Sequence, residues 1–126
     1  MTEPVSPPIT PQVIQSYGDG GFTVSGVRHA GSAIVLRGRT LAWTPPESLS
    51  ALGPGDFAAV TERAAAVDIV LLGCGARAVP LAAEVRTALR GQGITVEVMD
   101  TGAACRTFNL LQIEGRRVAA MIVAVP

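Results

Sequence analysis

The stretch from Val96 to Val123 constrains the fold more than any other part of the chain. It begins with an apolar segment that ends at Met99 and continues through Asp-Thr-Gly at 100–102. Apolar residues then recur at three- and four-residue spacing, which predicts a helix with one buried stripe. The chain next becomes almost wholly apolar from 118 to 125. This pattern predicts a strand, a tight turn, a helix and a second strand. The buried stripe comprises Ala104, Phe108 and Leu111 and extends to Gln112.

The two ends of this helix carry their own signals. Asp100 or Thr101 can cap its start, because a short side-chain oxygen accepts hydrogen bonds from the free N–H groups of the first turn. Gly115 suits the left-handed conformation just past the last turn. The apolar run that follows is typical of a strand covered on both faces.

The chain before this stretch alternates in the same way. Residues 68–72 (D-I-V-L-L) and 94–99 predict two strands, and Pro80 to Arg90 predicts a helix between them. Pro80 suits the first helical position, where its missing N–H is not needed. Such an alternation predicts a right-handed crossover between parallel neighbouring strands.

The first half of the chain predicts antiparallel β structure. Segments 13–17 and 22–24 flank a glycine-rich turn and predict one hairpin, while 27–36 and 41–43 flank Arg-Gly-Arg and predict another. Asp56 can cap a helix that runs to about Ala66. Residues 1–12 form a flexible proline-rich lead-in, and 13–126 form one domain. We therefore predict a three-layer α/β domain with a mixed central sheet, a parallel βαβ core from the C-terminal half, and an additional antiparallel layer from the N-terminal half.

Composition excludes several classes of function. The formal net charge is zero and no basic run occurs, which argues against nucleic acid as a partner. No segment reaches the ~18 apolar residues that a membrane span needs, so we expect no membrane insertion. The N-terminus lacks a secretory signal, and two cysteines do not make a disulfide framework. We expect a protein of the bacterial cytoplasm.

A cluster of polar and small residues follows the two predicted parallel strands. In open α/β sheets ligands usually bind at the carboxyl ends of the strands. The N–H groups that begin the last helix, with a nearby arginine, would favour an anion there. Ordinary turn and capping chemistry explains the same residues equally well. The candidate ligand-binding residues are Gly73, Cys74, Gly75, Asp100, Thr101, Cys105, Arg106 and Asn109.

Other chemistry has weak support in the sequence. Cys105 lies near a helix N-terminus, which lowers a thiol pKa, so we expect it to be more reactive than Cys74. We expect both cysteines to be reduced, since cytoplasmic proteins rarely keep a structural disulfide. Glu114 can pair with Arg116 or Arg117 across the helix end. No histidine lies near a nucleophile and no metal-ligand spacing occurs, so we assign no catalytic residue, no metal and no cofactor.

Several motifs together resemble one protein family. They are I-x-x-Y-G-x-G-G-F at 14–22, the single Trp43, L-L-G-C-G at 71–75, V-M-D-T-G-A-A-C-R-T-F-N-L-L at 98–111, and E-G-R-R-V-A-A at 114–120. The chain resembles the small-domain family that includes the mitochondrial respiratory complex I assembly factor three and many uncharacterised prokaryotic proteins. Cys74 departs from the family pattern, where threonine is more usual.

The resemblance implies the same three-layer fold and no established enzyme activity for the bacterial members. It also implies action through protein partners, which include subunits of respiratory or membrane complexes. The first hypothesis is therefore a non-catalytic binding or assembly module. The alternative is a small anionic ligand-binding or enzymatic site at the carboxyl ends of strands 68–72 and 94–99, and the sequence leaves the question of enzyme activity open.

Overall fold

The structure is a computed structural model that describes residues 11–126. Its strands are β1 (Ile14–Gly18), β2 (Gly21–Val24), β3 (Val27–Ala30), β4 (Ser32–Leu36), β5 (Arg39–Trp43), β6 (Ile69–Gly73), β7 (Thr95–Met99) and β8 (Val118–Ile122). Its α-helices are α1 (Ala58–Thr61), α2 (Ala83–Arg90) and α3 (Thr101–Ile113), and short 3₁₀ turns cover Leu49–Ala51, Pro54–Phe57 and Ala64–Ala66.

A five-stranded mixed sheet forms the middle of the domain, in the order β5-β4-β8-β6-β7. The strands β6, β7 and β8 are parallel, with Val70 opposite both Val96 and Ala119. The strand β4 runs antiparallel to both β8 and β5. The predicted mixed sheet, and the parallel pairing of the two strands near 70 and 96, are confirmed.

Apolar side chains cover both faces of this sheet because successive side chains in a strand point to opposite faces. One face packs α3 against residues such as Leu71 and Ala120, which are almost fully buried. The other face packs α2 and the segment 49–67 against residues such as Leu72 and Met121. All five residues of β8 are buried. A strand enclosed on both faces was predicted from its continuous apolar run, and this is confirmed.

The strands β1, β2 and β3 form a separate antiparallel sheet in the order β1-β2-β3. Its buried residues Ile14, Phe22 and Val24 join the same apolar cluster as α3. This small sheet supplies the predicted additional β layer, and β1 lies beside α3.

Residues 27–36 are not one strand, as the sequence predicted, but two. Gly31 has φ +80°, a left-handed conformation that redirects the chain between β3 and β4. The strand β3 pairs with β2 in the small sheet, whereas β4 enters the central sheet. The predicted second hairpin is real, but it consists of β4 and β5 alone.

Two predicted helices are also shorter than expected. The helix predicted over 56–66 breaks into short pieces, because the Arg63 guanidinium donates to the Ala59 carbonyl at 2.5 Å. A continuous α-helix would offer that carbonyl to the backbone N–H of Arg63, which instead donates to Val60. The helix α2 begins at Ala83, so Pro80 does not occupy its first turn.

The predicted lead-in over residues 1–12 lies mostly outside the described residues. Gln12 is described and is almost buried. Its backbone N–H donates to Gln112 on α3, and its side chain contacts Thr40 and Ser25 through hydrogen bonds.

Candidate functional site

The carboxyl ends of the central strands are joined by a dense set of hydrogen bonds. The Thr101 hydroxyl donates to the Val123 carbonyl at 2.7 Å and accepts from the Gly75 N–H at 2.9 Å. The Thr101 N–H donates in return to the Gly75 carbonyl at 2.8 Å. Thr101 is completely buried. Its polar atoms therefore connect the loop after β6, the start of α3 and the chain that follows β8.

The G-C-G loop is shaped by the close approach of α3. A Cβ on Gly73 would lie 2.9 Å from Ile122, 3.0 Å from the Ala104 Cβ and 3.1 Å from the Thr101 Cα. Gly75 has φ +91°, which L side chains rarely adopt. These glycines allow the helix N-terminus to pack directly on the strand ends.

The first turn of α3 is capped by its own sequence. Asp100 is the N-cap residue, and its Oδ1 accepts a hydrogen bond from the Ala103 N–H at 2.8 Å. The predicted role of Asp100 as a cap is confirmed. At the other end, Gly115 has φ +79°, as predicted for the position after the last turn. The helix boundaries thus follow from local chemistry.

The two cysteines lie in different apolar clusters, on opposite faces of the central sheet. Cys74 belongs to the cluster that contains α2, and Cys105 belongs to the cluster that contains α3. Both are free, as predicted. Burial raises the pKa of the Cys105 thiol to about 12, although the nearby Arg106 opposes this rise. The expected acidic thiol at Cys105 is therefore wrong, because burial outweighs the helix N-terminus.

Arg106 lies on the outer surface of α3. Its guanidinium donates to the Tyr17 hydroxyl at 3.2 Å, which joins α3 to β1. The Tyr17 ring covers the first turn of the helix, where a Cβ on Gly102 would lie 2.6 Å from the Tyr17 oxygen. Arg106 is thus exposed and has a neutral partner, so its charge stays available to another molecule.

Asn109 holds β1 against the helix. Its Oδ1 accepts from the Ile14 N–H at 2.8 Å, and its Nδ2 donates to the Ile14 carbonyl at 2.9 Å. Both polar groups of this side chain therefore bond to the backbone of β1, which is an edge strand of the small sheet.

A shallow pocket of about 350 Å³ lies near the same strand ends. Among the lining residues that belong to 11–126, Cys74 is the one predicted site residue and Glu47 is the one charged residue. A lone carboxylate does not favour an anion. Anion binding by the eight candidate residues stays a prediction, whereas Asp100, Thr101 and Asn109 have clear hydrogen-bonding roles within the fold.

The outer face of α3 carries a feature that the sequence reasoning missed. Leu110 and Ile113 are 56% and 83% exposed. They follow Arg106 by four and seven residues, so the three side chains share one helix face. We define the α3 surface as Tyr17, Arg106, Leu110 and Ile113. The spacing of these residues is present in the sequence, but the sequence pattern was interpreted only for the buried stripe on the opposite face of the helix.

Within residues 11–126, no helix is both long and apolar enough to cross a membrane. No group of three His, Cys, Asp or Glu side chains in that part of the chain could hold a metal ion.

The fold recurs in solved structures, and the sequence recurs in curated proteins. A crystal structure described as an outer membrane protein from Bartonella henselae is 32% identical, with a TM-score of 0.81, and the match covers 94% of this chain and 98% of that one. An uncharacterized protein of Rhodobacter capsulatus is 34% identical over 113 residues, which cover 90% of this chain and 85% of the relative.

A zebrafish (Danio rerio) protein named NADH dehydrogenase [ubiquinone] 1 alpha subcomplex assembly factor 3 is 37% identical over 114 residues. The match covers 90% of this chain but 65% of that relative, so the chain corresponds to somewhat less than two thirds of the longer protein.

These similarities describe a class of α/β proteins with one shared architecture. The profile of the family described as "Protein of unknown function (DUF498/DUF598)" matches residues 14–123. The chain belongs to this family, and the resemblance inferred from its motifs is confirmed.

Proposed function

We propose that the protein is a non-catalytic assembly module that binds a subunit of a respiratory or other membrane complex through its α3 surface. The observation that carries the proposal is the exposure of Leu110 and Ile113, 56% and 83%, on one face of a helix that is otherwise firmly packed. The name of the zebrafish relative supports the class of partner.

The composition of the α3 surface suits protein binding. Tyrosine and arginine are enriched among the residues that dominate interface energies, and aliphatic neighbours supply apolar area. Tyr17 and Arg106 are already joined by a hydrogen bond of 3.2 Å. An arranged pair loses less conformational entropy on binding than two free side chains.

The surface also indicates the chemistry of its partner. Leu110 and Ile113 require an apolar contact, and the free charge of Arg106 favours a carboxylate beside it. We therefore propose an apolar partner surface that is flanked by an acidic residue. Since the support of the α3 surface comes from Asp100, Thr101 and Asn109, these residues would act by holding the helix and β1 in place.

We further propose that this binding occurs on the cytoplasmic side of a bacterial membrane. Separation of cytoplasm, inner membrane and outer membrane from the native host tests this location. Recovery of the protein from the outer membrane, in line with the description of the Bartonella protein, would refute it.

Affinity purification from gently solubilised cells of the native host tests the binding proposal. We expect wild-type protein to recover subunits of an NADH dehydrogenase or another membrane complex. The double substitution Leu110→Gln with Ile113→Gln keeps good helix formers but removes the apolar contact. Loss of that contact weakens binding by about 2 kcal/mol or more, which exceeds tenfold in Kd.

Val27→Gln is the matched control. Val27 is also 56% exposed, but it lies on β3, at the far side of the small sheet from α3. This variant should recover the same subunits as wild type. Equal recovery by the double variant would show that the α3 surface is not the binding site, and recovery of the protein alone would refute the assembly role.

The alternative hypothesis, a small anionic ligand or enzymatic site at the carboxyl strand ends, has less support. The exposed Arg106 favours it, whereas the internal hydrogen bonds of Thr101 and Asp100 leave few free donors there. We therefore prefer the assembly module.

A further inference from the structure

The opposite end of the central sheet holds a cavity. Its volume is about 130 Å³. Its walls are formed by Pro11, the end of β4, the segment before β6, the end of α3 and the start of β8. Four arginines line it: Arg37, Arg63, Arg116 and Arg117.

The cavity is distinctly basic. The chain has ten basic residues in all, so four of the ten face one small cavity. Within residues 11–126, no aspartate or glutamate is among the residues that line it. The remaining wall includes the buried side chains of Leu36, Val67 and Val118, which limit solvent and strengthen the local field.

Two of these arginines are positioned by the protein itself. Arg117 forms a two-pronged ion pair with Asp68, with an Oδ1 distance of 2.6 Å and an Oδ2 distance of 3.0 Å. It also donates to the Ala65 carbonyl at 2.6 Å. The Arg63 guanidinium donates to the Ala59 carbonyl, the contact that ends α1. These arginines therefore keep a fixed place at the cavity wall.

The other two arginines have no such partner within residues 11–126. The side chains of Arg37 and Arg116 are exposed and form no hydrogen bond or ion pair with that part of the chain. Glu114, two residues before Arg116, does not line the cavity. The predicted pairing of Glu114 with Arg116 or Arg117 is wrong, because Arg117 forms its ion pair with Asp68 and Glu114 forms none within residues 11–126. Arg37 and Arg116 thus bring to one cavity two guanidinium groups that have no hydrogen-bond or ion-pair partner within residues 11–126.

The geometry points to a binding site for the oxyanion group of a small molecule, a phosphate or a carboxylate, held by Arg37 and Arg116. A guanidinium presents parallel N–H donors that match both groups. A volume of about 130 Å³ admits such a group with a few waters or a short apolar portion that contacts Leu36 and Val67. This site is independent of the α3 surface.

Titration of the full-length protein, followed by backbone amide NMR, tests the proposal. Inorganic phosphate and malonate are the two probes, each compared with chloride at equal ionic strength. We expect saturable chemical-shift changes of the Val67, Gly115 and Val118 amides with at least one probe and not with chloride. Saturation by phosphate alone identifies a phosphate site, and saturation by malonate identifies a carboxylate site.

The double substitution Arg37→Gln with Arg116→Gln should weaken binding roughly tenfold or more, since two charge-assisted donors are lost. The control double substitution Arg77→Gln with Arg90→Gln makes the same charge change at exposed arginines that do not line the cavity. It should leave the dissociation constant unchanged. No saturable shift with either probe, or equal weakening by both double variants, would overturn the proposal.

Discussion

The two ends of the central sheet use their polar residues in opposite ways. At the carboxyl ends of β6 and β8, the Thr101 hydroxyl forms hydrogen bonds with both Gly75 and Val123 within the protein. At the amino ends, the arginines Arg37 and Arg116 face a cavity and bond to no described residue. Polar groups at the end that sequence patterns favour for a ligand are therefore bonded within the protein, although a shallow pocket lies beside them, and the end that those patterns neglect holds two arginines without a described partner.

This difference shows that a general rule selects candidate residues by position and not by whether their polar groups are free. Ligands do favour the carboxyl ends of parallel strands, where loops diverge and leave a crevice. Here Thr101 bonds to both Gly75 and Val123, and the Val123 N–H donates to the Gly73 carbonyl at 2.9 Å. The polar groups of these residues are therefore bonded within the protein.

The largest expected effect comes from Thr101→Val at the closed end. The valine keeps the shape of the side chain but leaves the Gly75 N–H and the Val123 carbonyl without their partner inside the protein. Unsatisfied buried groups cost about 1–3 kcal/mol each, so we expect a loss of about 2–5 kcal/mol in the free energy of unfolding, measured by chemical denaturation.

Thr107→Val is the control, because Thr107 lies in the same helix and its hydroxyl makes no hydrogen bond within residues 11–126. Its stability should change by less than about 0.5 kcal/mol. If both substitutions change the free energy of unfolding by equally small amounts, the hydrogen bonds of Thr101 contribute little to stability. The polar groups at the carboxyl end would then be available to a ligand.

A smaller effect is expected from Gly73→Ala at the same end. The added methyl group would approach Ile122 to 2.9 Å and the Ala104 Cβ to 3.0 Å. Overpacking of this kind costs about 1–3 kcal/mol, because α3 must shift away from the strand. The control is Gly55→Ala, where a Cβ meets nothing within 4 Å. Thermal melts should separate the two variants, and an unchanged melting temperature for Gly73→Ala would contradict tight packing of α3.

Local signals explain which parts of the fold were predictable. The helix α3 and strand β8 were predicted well, because Asp100, Gly115 and a continuous apolar run mark their limits. The break at Gly31 was missed, since the choice of partner sheet for β3 and β4 depends on distant strands.

The sites were less predictable than the fold. The candidate residues of the carboxyl end were found by position alone, and the sequence could not show that Thr101 would bond to Gly75 and Val123. The arginine cavity was missed because its walls come from segments that are far apart in the sequence. Residues 37, 63 and 116–117 have no common motif, and only the strand order brings them together.

The smallest expected effect concerns the ion pair at the open end. The hydrogen bond from Arg117 lowers the pKa of Asp68 below its usual 3.8. A carboxyl group whose pKa is lower in the folded state stabilises the protein above the unfolded pKa, and this contribution is lost as the pH falls through the folded value.

Wild type should therefore be slightly more stable than Asp68→Asn at neutral pH, and the difference should shrink below pH 3.8. The pair is exposed, so the effect is small. Asp19→Asn makes the same change of charge at an exposed loop, where the Asp19 backbone carbonyl accepts a hydrogen bond from the Arg28 guanidinium. The urea midpoint of this variant should follow that of wild type across this pH range. If the difference in stability between wild type and Asp68→Asn stays constant through that range, the ion pair with Asp68 does not hold Arg117 at the cavity wall.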